Sequence, residues 1–181
     1  SATFSSTVNA KTVDIDTEAG ASTMTFTGNV EGETWNIETG GASGDTAAVN
    51  FGGNLNLTAL NIDKETGEST VTFNGGSAQT VVGNLTTTAD GDGIVIINNS
   101  NGVTFNDDFG VHNNGVGSLQ IRSGSTMTFK ALAAGDATTF DVVGNVDRAG
   151  SGNAGGTLII NGGDAVSGTA GDAVTLATIT G

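Results

Sequence analysis

The chain has 181 residues with 19 acidic side chains against five cations, a formal charge of −14, 30 glycines and no Pro, Cys or Tyr. Five scattered cations (Lys11, Lys64, Lys130, Arg122 and Arg148) cannot neutralise a run of phosphates, which argues against nucleic acid and anionic membrane surfaces as partners and leaves divalent cations as better candidates. No disulfide can form, and no apolar run is long enough to cross a bilayer as a helix.

Gly and Asn supply the positive-φ positions of tight turns, while Thr and Val suit a pleated strand better than a helix, so the composition predicts β-structure with many turns. The first element, "ATFSSTVNAKTVDID" from Ala2 to Asp16, is followed by two similar ones. With Phe4, Phe26 and Phe51 as anchors, Ala2, Met24 and Val49 stand two residues before, and Val8, Val30 and Leu55 four after. Val13, Trp35 and Leu60 stand nine after, Ile15, Ile37 and Ile62 eleven after, and Asp16, Glu38 and Asp63 close each unit at twelve. The pattern restarts at Phe73, Phe105 and Phe129 and, with Ile for Phe, at Ile160, giving anchor spacings of 22, 25, 22, 32, 24 and 31 residues.

A period of this size predicts a solenoid, in which each unit is one turn of a coil that cannot bury its own apolar face. The fold class expected is all-β: a parallel β-solenoid of about seven coils of 22–32 residues forming a single domain, 1–181. Stacked about 4.8 Å apart, seven coils make a rod roughly 35 Å long. The apolar columns change parity between the positions four and nine after each anchor, which predicts a turn at "NAK", "EGE" and "NLT". A second turn follows the acid, at "TEAGAS", "TGGASGDTA" and "KETGES". The spacings of 32 and 31 predict loops bulging near "TTTADGDG" and "DRAGSGNAGG".

The stretches "TFTGNV" (Thr25 to Val30), "NFGGNL" (Asn50 to Leu55) and "VTFNDDFG" (Val103 to Gly110) resemble the repeats of autotransporter passenger domains and related bacterial surface proteins. The resemblance is one of repeat style and covers most of the chain. It implies a right-handed parallel β-helix on the outside of a bacterium.

Chemistry-bearing residues are few. His112, the only histidine, lies in the turn-rich "GVHNNGVG" and reads as an exposed loop residue; metal ligation would want a second imidazole or a thiolate. Oxygen ligands for calcium are offered by Asp90, Asp92, Asp107 and Asp108 on Gly-rich turns and by Asp164 and Asp172 near the end. Otherwise these acids are solvated turn residues. Carboxylate pairs could serve glycoside cleavage, yet the one Trp, Trp35, falls in an inward column and reads as core, so no catalysis is expected. Outward Thr ladders able to bind ice do not recur at one fixed column. Phe4, Phe26, Phe51, Phe73, Phe105 and Phe129 are expected to form a single internal stack, each beginning a matching coil.

The first coil is in pattern by Ala2, and "DAVTLATITG" alternates up to Ile179 without a helix, Pro or charged flap between, so no end caps are expected. Uncovered strand edges recruit other strands. The assembly surfaces expected are Ala2, Phe4, Val8, Val13 and Ile15 at one end and Val174, Leu176 and Ile179 at the other, joining subunits head to tail into a homopolymer. Donation of the segment from Ser1 to about Asp16 to a neighbour is a variant. The start at Ser1 suggests removal of a signal peptide, hence an extracellular or cell-surface location. Two other classes remain open at this point: an adhesin or passenger fragment binding a surface or host ligand through outward loops, and a calcium-stabilised secreted module.

Overall fold

The computed structural model describes residues 1–17, 19–111, 113–130, 140, 142, 146–147 and 156–161. Fourteen strands run in pairs along these residues: β1 (Ala2–Phe4) and β2 (Val8–Thr17), β3 (Ala21–Phe26) and β4 (Val30–Thr39), β5 (Thr46–Phe51) and β6 (Leu55–Ile62), β7 (Glu68–Phe73) and β8 (Gln79–Thr87), β9 (Asp92–Ile97) and β10 (Val103–Phe105), β11 (Val116–Ile121) and β12 (Thr126–Lys130), β13 (Val146–Asp147) and β14 (Thr157–Asn161). Odd-numbered strands form one seven-stranded sheet and even-numbered strands the other, each in chain order. Every pairing between named strands is parallel. The chain is therefore a parallel β-solenoid, with one strand pair per coil, close to the seven coils expected.

The register bears out the columns of the first four coils. Phe4, Phe26, Phe51 and Phe73 are successive partners on the first sheet, with Ala2, Met24, Val49 and Val71 two residues before them. On the second sheet Val8, Val30, Leu55 and Val81 align, as do Val13, Trp35, Leu60 and Leu85. Side chains from both sheets meet in one core, where Trp35, Phe51, Phe73, Ile37 and Ile62 are fully buried.

Beyond Phe73 the expectation of a single Phe column fails. Phe73 pairs with Ile97, and Ile97 with Ile121. Phe105 instead pairs with Val81 and with Phe129, and Phe129 with Ile160, so these two rings belong to the Val8 column of the opposite sheet. The reason is volume. Where the first sheet exchanges Phe for Ile, the second exchanges Val for Phe, and the filling of each coil is nearly conserved. Contact between rings is continuous across the exchange, because Phe73 and Phe105 meet edge to face at 5.2 Å.

The crossing also removes the first expected bulge. From Phe73 to its register partner Ile97 is an ordinary coil of 24 residues, and the spacing of 32 arose from counting to the wrong sheet. "TTTADGDG" is a normal corner, turning from β8 into β9 through Gly91 at φ 89°. The 31-residue interval from Phe129 to Ile160 is genuine, whereas "DRAGSGNAGG" lies almost wholly outside the described residues.

The predicted turn at "NAK", "EGE" and "NLT" is not a turn. β2, β4 and β6 run straight through these residues, and the inward face changes parity at a bend within each strand. In β4 the buried positions step from Val30 to Trp35; in β6 they step from Leu57 to Leu60, next to a register shift against β8. The bend brings neighbouring backbones close. A Cβ on Gly32 would collide with the Ala10 carbonyl, and one on Gly83, at φ 105°, with the Leu57 carbonyl. Only glycine fits such approaches.

A buried amide locks a corner between the sheets. Gln79 donates from Nε2 to the carbonyls of Phe51 (2.9 Å) and Gly53 (2.7 Å), and its Oε1 accepts from Gly75 N and Asn99 Nδ2. Each polar atom of this buried side chain is thereby satisfied, as its burial demands.

Candidate functional site

The columns that close over the core in the middle of the rod lie open at its first coil. β1 and β2 are the outermost strands of their sheets. β1 pairs with β3 and β2 with β4, and the opposite edges of both have no strand among the described residues. In a parallel ladder the outer edge leaves unpaired amides and carbonyls directed away from the sheet. Here that edge includes the ten residues of β2.

Side chains tell the same story. Phe4 is 41% exposed although its register partners Phe26 and Phe51 are 3% and 0% exposed. One ring face of Phe4 stacks on Phe26, with centroids 4.9 Å apart and planes 7° from parallel. Ala2 is exposed, and Val8 and Val13 are half-buried where Val30 and Trp35 are buried; Ile15 alone is fully sheltered. Trp35 of the next coil ties to the backbone of this one, donating its indole N–H to the Ala10 carbonyl at 3.3 Å. Four of the five expected residues at this end thus form one surface with exposed or half-exposed side chains, while Ile15 lies behind it. Val174, Leu176 and Ile179, the expected complement, lie outside the described residues.

Outside the core, polar ladders tie the first coils together. Asn36 donates to Asp14 Oδ1 at 2.6 Å and Asn61 to Asn36 Oδ1 at 2.8 Å. Beside them stands a row of carboxylates. Partial burial raises the Glu38 pKa above its ordinary 4.5, and repulsion from Asp63, Asp16, Asp14 and Glu65 pushes it the same way. Lys11 meets Glu33 at 3.4 Å as an exposed pair of little energetic weight.

The calcium candidates of the described region serve backbone amides. Asp90 Oδ1 accepts from Gly115 N at 3.0 Å and Asp107 Oδ2 from Gly83 N at 2.7 Å, each joining successive coils. Asp92 Oδ2 accepts from Ala89 N at 3.0 Å and closes its own turn. The backbone carbonyl of Asp108 accepts from Leu85 N at 2.9 Å. Among the described residues no three acidic or imidazole side chains converge as a metal cluster. His112, Asp164 and Asp172 lie outside the described residues.

A shallow groove of about 220 Å³ opens on the first sheet, floored by Ile94 and the backbone of Gly91, Gly93 and Gly117 and flanked by Lys64 and Glu68. Sequence reasoning did not find it, because its walls come from three coils and its floor is mostly glycine. Comparison with protein-family models, with curated proteins and with solved structures finds no match to this chain.

Proposed function

We propose that this chain is a structural subunit of an extracellular bacterial filament or surface assembly, without catalysis, in which the first coil of one copy is covered by a terminal coil of another. The observation that carries the reading is the exposure of Phe4 at the head of a column whose next members are buried. The occupant that fits is a further coil of the same repeat. It would bring an apolar residue over the free face of Phe4 and a parallel strand against β2, as β3 and β4 do on the other side. Such a contact is head-to-tail and does not close, so it propagates. The autotransporter-like repeat style supports the extracellular setting.

Negative-stain electron microscopy of the native protein, with and without a calcium chelator, tests this directly. Long uniform fibres that survive chelation are expected, and Phe4→Asp should reduce them to short rods while leaving the fold intact. Monodisperse rods from the unaltered protein would overturn the reading in favour of an adhesin. Fibres that dissolve on chelation would move the function to the acidic turns.

A further inference from the structure

Three polar atoms are buried at one corner of the first two coils without a hydrogen-bond partner: Thr17 Oγ1, Thr39 Oγ1 and Asp45 Oδ2. Their residues are 3%, 1% and 6% exposed. Thr17 and Thr39 are register partners at the ends of β2 and β4, and Gly40 N donates to the Thr17 carbonyl at 2.6 Å. Asp45 closes the loop that leaves Thr39. Its Oδ1 accepts from Gly20 N at 2.6 Å, three residues beyond Thr17, and its carbonyl accepts from Glu68 N. A side chain at Gly67 would strike both the Asp45 carbonyl and the Thr39 side chain, so these two groups border one point.

Buried hydroxyls and carboxylates almost always have partners, and three orphans at one corner ask for a shared one. All three are oxygens, and the one ion pair among the described residues lies elsewhere, at Lys11 and Glu33. We propose that this corner is a monovalent cation site, a sodium ion held by Asp45 Oδ2 and the hydroxyls of Thr17 and Thr39. One formal negative charge balances one positive charge. Calcium ordinarily takes six to eight oxygens, with several carboxylates among them. Alternation along the strands places Asp16 and Glu38 on the outer face directly beside Thr17 and Thr39 on the inner one. The carboxylate row therefore raises the concentration of cations at the surface beside the corner.

Thermal unfolding of the intact protein in sodium chloride and in choline chloride at equal ionic strength separates ligation from screening, which acts in either salt on a chain of charge −14. The melting temperature is expected to be a few degrees higher in sodium, and Asp45→Asn and Thr39→Val should each abolish the difference. Sodium NMR lines broadened by the protein should sharpen in Asp45→Asn. Equal melting in both salts would overturn the proposal. So would a Thr39→Val variant stabilised equally in both, the expected result of deleting an orphaned hydroxyl with no ligand role. A calcium response in choline that Asp45→Asn removes would replace the monovalent assignment with a divalent one.

Discussion

The first and third coils are built from the same columns and differ in what covers them. Phe51, Leu55, Leu60 and Ile62 of the third coil are between 0% and 2% exposed, whereas Phe4 of the first is 41% exposed and Val8 and Val13 are half-buried. The difference owes nothing to composition, because both coils carry an aromatic anchor followed by aliphatic residues. A coil of this kind is a half-finished core, and its stability comes from the neighbours on its two sides.

The sharpest way to break the comparison is to truncate the same column in both places. Phe51→Ala should cost about 3–5 kcal/mol in denaturant unfolding, the usual penalty for emptying a buried aromatic site. Phe4→Ala in the unassembled protein should cost about 1 kcal/mol, since much of the ring is already in water. If the first coil is covered in an assembly, the Phe4 penalty should grow toward that of Phe51 once fibres form. Equal penalties in the dispersed protein would refute the contrast.

Next in size are the glycines of the two bends. Gly83→Ala pushes a methyl group into the Leu57 carbonyl at a positive φ and should cost about 1–3 kcal/mol of global stability. Gly32→Ala strikes Ala10, whose coil has a neighbour on one side among the described residues. It should loosen β2 locally. Amide hydrogen exchange should therefore show faster exchange confined to β2 in Gly32→Ala, and acceleration spread over several coils in Gly83→Ala.

The smallest effect is electrostatic. Because the Glu38 pKa is raised in the folded state, its charged form opposes folding, and that opposition is fully present above the folded value. Lowering the pH from neutral toward the window just above 4.5 should relieve it and raise stability, until other carboxylates protonate. Glu38→Gln should remove this part of the slope and change stability at neutral pH by no more than about 0.5 kcal/mol. A steeper rise on acidification in the variant than in the parent would contradict the assignment.

Much of the fold was legible in the residues of the first three coils, because Phe, Val, Trp and Ile recur there in fixed order and a parallel stack needs like over like. The later half was misread for a definite physical reason. "VTF" at Val71–Phe73 and "VTF" at Val103–Phe105 are the same text, yet they lie on opposite sheets. Both sheets alternate with the same period, so the local pattern cannot say which wall a strand belongs to; that is decided by pairing with residues some two dozen positions away. The bend at "EGE" was visible as a change of parity but not as a bend, since a turn and a kinked strand shift the phase alike. The first-coil surface could be inferred from the repeat. Asp45 could not: its sequence context, "GDT", is that of any solvated turn, and its burial follows from Gly20 N drawing the carboxylate inward.

The passage of the aromatic ladder from one sheet to the other divides the rod into two kinds of coil that are not interchangeable. Within the first four, a coil-sized duplication or deletion would leave every column intact, and the rod could lengthen or shorten by whole units. Across the step from Phe73 to Phe105 the same event would set ring against ring on both walls, or leave neither wall with one. Length in this molecule is therefore free to vary on one side of a fixed mark and constrained at the mark itself, which gives an otherwise repetitive rod an origin from which its coils are counted.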